Sequence, residues 1–495
     1  STQRDGIIVP DLPTIDTSTE QDVAGGGYNH WATAGFFGRL NYNYKEKYLL
    51  EVNGRYDGTS RFMKDQRWNF FPSFSLGWNV ARENFWKPLE SVVNQFKLRG
   101  SWGELGNQNT SNLYPFYEIL PVKSNSGNWL VNGGKTNTAD IPSLVSTLLT
   151  WERVRSFNVG FDFGAFSNRL TGSFDYFVRK TVDMVGPAPQ LPLVLGIAPA
   201  IVNNADMKSY GFEIELSWRD RIGEVDYGVK FNLADATNAF SDWYAGKMSG
   251  EIWGYTSLGI AKTDEEMKEH LASLPNGGQN QLGNKWGAGD IMYADINGDG
   301  KVDGGKGTLA DPGDQRIIGN STPRYNFGLV LDASCKGFDV SIFFQGVGKR
   351  DYAPIVGTNG AVFWGAVNNI WQSMAMEEHF DYFRPEGHPM GANLNGYYPR
   401  PDFTSNKNHQ VQTRYLQDAS YIRLKNLQIG YTLPKQWINK LHINRCRVYV
   451  SGDNLWTGTS LASMFDPETL AAGDWGSGKT YPLSKVISFG LNVNF

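Results

Sequence analysis

Residues 485–495 read Lys-Val-Ile-Ser-Phe-Gly-Leu-Asn-Val-Asn-Phe, and this stretch decides how the rest of the chain is read. Ile487, Phe489, Leu491, Val493 and Phe495 fall on one face of a period-two strand, and Ser488, Gly490, Asn492 and Asn494 fall on the other. A half-buried strand of a soluble sandwich alternates in the same way. Two features favour a membrane barrel. The alternation runs to a terminal aromatic, and it recurs along the chain in spans close to the about 9–11 residues of a transmembrane β-strand.

The same design surrounds the turn Lys45-Glu46-Lys47. Phe36, Leu40, Tyr42 and Tyr44 share one face of the strand at 35–44, and Tyr48, Leu50, Val52 and Tyr56 share a face of its return. Glu51, Asn53, Arg55 and Asp57 point the other way. Charges at successive inward positions are costly in a dry core and cheap in a water-filled lumen. Phe212, Ile214, Leu216 and Trp218 repeat the pattern against Glu213, Glu215, Ser217 and Arg219, and thirteen such spans can be traced. In the eleventh, near 418–432, the apolar phase changes between Ile422 and Leu424 and the later Leu427, Ile429 and Tyr431. That change predicts a bulge near Lys425-Asn426.

Connections after strands one, three, five, seven, nine and eleven are short. Those after four, six, eight, ten and twelve are mostly long: 107–153, a Pro-containing loop at 186–204, 238–323, 350–412 and 456–482. Residues 1–34 read as another external loop, and 35–495 as barrel. Short turns on one side and long loops on the other are expected of strands that cross an outer membrane. The expected fold is therefore all-β, a transmembrane antiparallel β-barrel. Thirteen is odd, whereas single-chain bacterial barrels have even strand numbers, and an unclosed sheet would expose its edges to lipid. The reading is the C-terminal part of a longer protein, or one product of a nicked chain.

Composition agrees. The 23 Tyr, 29 Phe, 16 Trp and 56 Gly suit strands, aromatic girdles and loops better than helical layers. No run approaches the about 18 apolar residues of a membrane helix. A net charge of -4 without a basic tract argues against nucleic acid as a partner. Cys335 and Cys446 form neither a disulfide framework nor a metal cluster.

The sharpest local motif is Asp-Ile-Asn-Gly-Asp-Gly-Lys-Val-Asp at 295–303. Asp295, Asn297 and Asp299 occupy the first, third and fifth positions of a calcium-loop pattern, Lys301 offers a backbone carbonyl, and Asp303 stands at the ninth. The twelfth position is Lys306, so Asp311 or Asp314 would have to fold back as the last ligand. Calcium as a structural staple and a metal-free Asx-rich turn are both compatible with these residues. For an enzyme there is little support: the six histidines are scattered, and neither a His-Glu-x-x-His helix nor a Gly-x-Ser-x-Gly elbow occurs. Trp129, Trp253, Trp364 and Trp371 lie on the long loops, where they could stack on sugar rings or side chains, or fill loop cores and girdle positions.

Several stretches together resemble the C-terminal half of the SusC/RagA family of TonB-dependent outer-membrane transporters. They are Gly-Phe-Phe-Gly-Arg-Leu-Asn-Tyr-Asn-Tyr (35–44), the run from Tyr48 to Phe62, Phe96 to Asn109, Asp295 to Gly300, Gly337 to Gly346, Tyr421 to Pro434 and the terminal strand. The resemblance implies a barrel of about 22 strands, of which these would be the last thirteen, with an upstream barrel and plug segment that engages TonB. It also implies a SusD-like surface lipoprotein as a lid and active import of an oligomeric nutrient, oligosaccharide first and peptide as an alternative. Asp295 to Gly300 match the family's Asp-x-Asn-x-Asp-Gly loop, with expanded spacing after Asp303. A passive porin or structural barrel, and a soluble glycan-binding or adhesin module, are the competing classes. The inward charges at Glu213, Glu215 and Arg219 weigh against the last.

Overall fold

The computed structural model describes residues 2–3, 23–24, 29–110, 112–187, 196–197, 200–240, 247–354, 361–365, 375–402, 406–438, 443–470 and 480–494. Thirteen long strands make one sheet. They are β1 (Thr33–Tyr44), β2 (Tyr48–Thr59), β3 (Trp68–Asn79), β4 (Val93–Asn107), β5 (Glu152–Ala165), β6 (Leu170–Pro187), β7 (Ile201–Ile222), β8 (Val225–Phe240), β9 (Arg324–Cys335), β10 (Phe338–Lys349), β11 (Tyr421–Thr432), β12 (Arg445–Thr459) and β13 (Val486–Asn494). Spatial order is chain order, and every neighbouring pair is antiparallel.

The turns explain the meander. Lys45 and Glu46 adopt φ of 52° and 57°, and Lys336 and Gly337 adopt 47° and 89°. Paired left-handed residues match the twist of a tight hairpin. The predicted bulge is present: the β11 register slips at Lys425 against both β10 and β12. One extra residue there keeps the apolar side chains on one face as the sequence phase changes. Between β3 and β4 the chain makes 3₁₀ turns at Val80–Arg82 and Asn84–Leu89.

Some strands outrun their sequence pattern. β6 continues to Pro187 and β7 starts at Ile201, so the loop expected at 186–204 shrinks to the residues between them, and the turn between β7 and β8 is only Gly223-Glu224. The added rungs pair Met184 with Ala205, Val185 with Asn203, Gly186 with Val202 and Pro187 with Ile201, and register shifts on either side of Met184 break the alternation of hydrophobicity while the backbone ladder continues. Periodicity sees side chains; a ladder needs only backbone groups.

One sheet face is apolar and open, as at Phe36, Leu76, Phe157 and Phe489. The other is polar and ion-paired. β1 pairs only with β2 and β13 only with β12 among the described residues, and every β1 residue is exposed. Both cysteines are free. No described helix is long and apolar enough to cross a membrane, which says nothing about strands.

Candidate functional site: one body built from several external loops

Hydrophobic burial concentrates above the sheet, in the long connections. Tyr255, Ile291 and Tyr293 from the β8–β9 connection pack with Trp364, Tyr398 and Tyr415 from β10–β11, and with Phe465 and Leu470 from β12–β13. Three loops that read separately in sequence share one core. The β8–β9 segment also holds helix α1 (Asp264–Ala272), capped by Thr263, whose side chain accepts the Glu266 N–H.

Asp290 fastens this body from within. Its carboxylate is fully buried and accepts from Arg400 Nε and Nη2 at 2.7 Å each, Lys407 Nζ at 2.9 Å, Asn408 Nδ2 at 2.9 Å and the Gly287 N–H at 2.9 Å. Lys407 also donates to the Lys285 carbonyl at 3.0 Å and lies over the Trp286 ring. A buried carboxylate with two cations and satisfied lone pairs is tolerable; either partner alone would not be. A second clamp ties the last loop to the polar sheet face: Arg423 Nη1 donates to Glu468 at 2.7 Å and Nη2 to Asp466 at 2.8 Å. Sequence spacing shows neither clamp, because the partners in each are more than forty residues apart.

His409 sits in the same core. It is fully buried against Trp364, with ring centroids 4.5 Å apart, and neither ring nitrogen has a hydrogen-bond partner among the described residues. Burial pushes its pKa down to about 4, with the Asp402 charge opposing weakly.

The 295–314 segment folds on itself. Gly298 and Gly300 take φ of 77° and 81°, conformations that suit glycine at the two tight bends. Asp295 accepts the N–H groups of Gly298 at 2.6 Å and Gly300 at 2.8 Å; Asn297 accepts from Asp299 N–H, and Asp299 from Lys301 N–H. Asp314 does fold back, fully buried, accepting the N–H groups of Ile296 and Asp303 at 2.8 Å. The Lys301 ammonium lies 2.5 Å from Asp303, and that charge, with the Gly305 N–H, holds the Asp303 carboxyl below its usual range. Among the described residues no three His, Cys, Asp or Glu side chains converge as a metal cluster. The donor set is nonetheless all oxygen, which suits a hard cation such as calcium.

The four tryptophans fare differently. Trp364 is wholly buried, its Nε1 donating to the Pro354 carbonyl, so the loop core takes up its faces and none is left for a ligand. Trp253 is half-buried and donates to Glu251 at 3.2 Å. Trp129 is 62% exposed on the β4–β5 connection. Trp371 lies outside the described residues.

Below the loops, the polar face carries ion pairs: Arg39 with Glu51, Arg99 with Asp162 and Asp175, and Arg447 with Asp339. Glu213 and Glu215 are exposed on that face, without an ion pair among the described residues. Such a surface offers water, carboxylates and guanidinium groups to a passing polar chain.

A family model described as TonB dependent receptor-like, beta-barrel, matches residues 5–455. The chain belongs to that family. It is similar to TonB-dependent receptor P3 of Formosa agariphila, 30% identical over 93% of this chain and 45% of the relative. TonB-dependent receptor SusC of Bacteroides thetaiotaomicron is 24% identical, with 93% and 43% covered. Among solved structures, the RagAB peptide transporter shares the fold with a TM-score of 0.72 and 21% identity, over 98% of this chain and 50% of that one. The chain thus spans about half the length of the relatives it matches. Membership places it in the β-barrel of an outer-membrane receptor. The sheet thus presents one apolar face and one ion-paired face.

Proposed function

We propose that this chain forms the C-terminal part of the barrel of an energised importer of oligomeric nutrients. The observation that carries the reading is the thirteen-stranded meander, matched by the receptor family over residues 5–455. The edges of β1 and β13, each paired on one side only among the described residues, support an upstream segment that completes about 22 strands and brings the plug through which TonB acts. The shared loop body is a preassembled rim on which a SusD-like lipoprotein can seat as a lid.

Peptide is the substrate class we adopt, ahead of the oligosaccharide expected from sequence. Its support is the peptide-transporting complex that shares the fold. Oligosaccharide is the second reading, favoured by the exposed ring of Trp129. Uptake of labelled peptides and oligosaccharides should be compared in cells with and without the intact gene, and again with TonB inactivated. Peptide uptake that disappears in both backgrounds is expected. Uptake that survives loss of TonB would make the protein a passive porin, and selective loss of oligosaccharide uptake would reinstate the glycan.

We also propose calcium in the 295–314 loop, held by Asp295, Asn297, Asp299, Asp303, Asp314 and the Lys301 carbonyl. The ion would replace the Lys301 ammonium as the charge facing Asp303. Titration of chelator-treated full-length receptor with calcium should raise its melting temperature, and Asp295→Asn should abolish the rise. An unchanged melting curve would leave the metal-free turn as the correct reading.

A further inference from the structure

We propose that the lipid-facing surface of β5, β6 and β7 binds the phosphate headgroup of an outer-leaflet lipid through Lys180 and Lys208, with Arg155 beside them. The inference rests on the outer-membrane barrel reading, which sets the face and its level. Register puts the three cations on one rung: Arg155 lies opposite Lys180, and Lys180 opposite Lys208. By parity they share the face of Phe157, Val178 and Tyr210, which form the next rung toward the short turns.

Their height fits the membrane boundary. Lys180 stands ten residues beyond Leu170, the first residue of β6. At about 3.3 Å per residue and a strand tilt of about 40°, that is roughly 25 Å, the height of the apolar band of such barrels. Phe157 and Tyr210, two aromatics of that rung, with cations just outside them mark the headgroup level.

The charges are poorly answered within the protein. Arg155 faces Glu104 at 2.9 Å, but neither lysine lies within 4.0 Å of a carboxylate among the described residues. Asp206, the acid two residues from Lys208, accepts the Asp183 N–H at 3.1 Å, and Asp183 itself faces Arg153 at 3.8 Å. Both lysines are exposed, and Lys208 Nζ lies 5.3 Å from the centre of the Tyr210 ring. Like charges directly opposite on neighbouring strands repel, and an anion between them reverses the sign. A substrate in the lumen cannot reach this face. A lipid phosphate reaches it laterally, with two compact ammonium groups to receive its oxygens.

The test uses the full-length receptor in detergent and native mass spectrometry, with diphosphorylated lipid A as the probe. The wild-type protein should retain the lipid, and Lys180→Gln/Lys208→Gln should bind it roughly thirtyfold more weakly. Lys180→Arg/Lys208→Arg should restore retention, which separates charge from folding. Equal retention by wild type and the Gln variant, equal retention of dephosphorylated lipid A, or full displacement by millimolar inorganic phosphate would overturn the proposal. Peptide uptake should be unchanged in the Gln variant, so failure here and failure of the import reading show in different assays.

Discussion

Asp290 and His409 show what single residues contribute to the loop body. Asp290→Ala removes the common acceptor of Arg400, Lys407 and Asn408 and leaves the Lys407 ammonium buried without that counter-charge. Breaking a buried pair from one side costs about 3–5 kcal/mol. We expect amide exchange in 279–293 and 406–412 to rise by orders of magnitude in the variant, with β-sheet exchange unchanged; equal protection would refute the hub. His409 acts through pH. Its folded pKa, about 4, lies below the unfolded value near 6.5, so the unfolded state binds more protons between the two. Stability of the loop body is therefore full above about pH 6.5 and falls as pH drops toward 4, by roughly 3 kcal/mol. His409→Phe keeps an aromatic against Trp364 and should flatten that pH dependence. A melting temperature that falls equally with pH in both proteins would place the titration elsewhere.

At the scale of elements, the meander depends on close approach between strands. A Cβ added at Gly211 of β7 would collide with the Asp235 carbonyl oxygen and lie 2.9 Å from the Ala236 Cα, both backbone atoms of β8. Gly211→Ala must push β8 away, at a cost of about 1–3 kcal/mol. The expected result is a lower yield of folded, heat-modifiable barrel on gels, and full wild-type yield would show that the rung has slack. The elements themselves were readable where one face is apolar: all thirteen strands and the Lys425 bulge follow from period-two patterns and phase. The extensions of β6 and β7 were not, because register shifts around Met184 break the period-two phase in their outer rungs.

For the whole molecule, edges decide. Expressed alone, a chain with β1 and β13 unpaired should aggregate or stay unassembled, and co-expression with the upstream half of the receptor should return a closed barrel that co-purifies in detergent. A monodisperse, folded barrel from this chain alone would contradict the shared-barrel proposal. The loop body was the least legible part. Trp364 carries the same label in sequence as Trp129, yet one is wholly buried beside His409 and the other is 62% exposed. Loops lack a repeat that reports which side faces inward.

Sequence by itself determined the strands, their two faces and the side with long loops, because backbone pleating converts local alternation directly into facing. Only the tertiary structure decided that three loops share a core around Asp290, that Asp314 turns back onto Asp303, and that Arg155, Lys180 and Lys208 stand on one rung. Those relations join residues far apart in the chain, and they are set by register and packing, which no local pattern encodes.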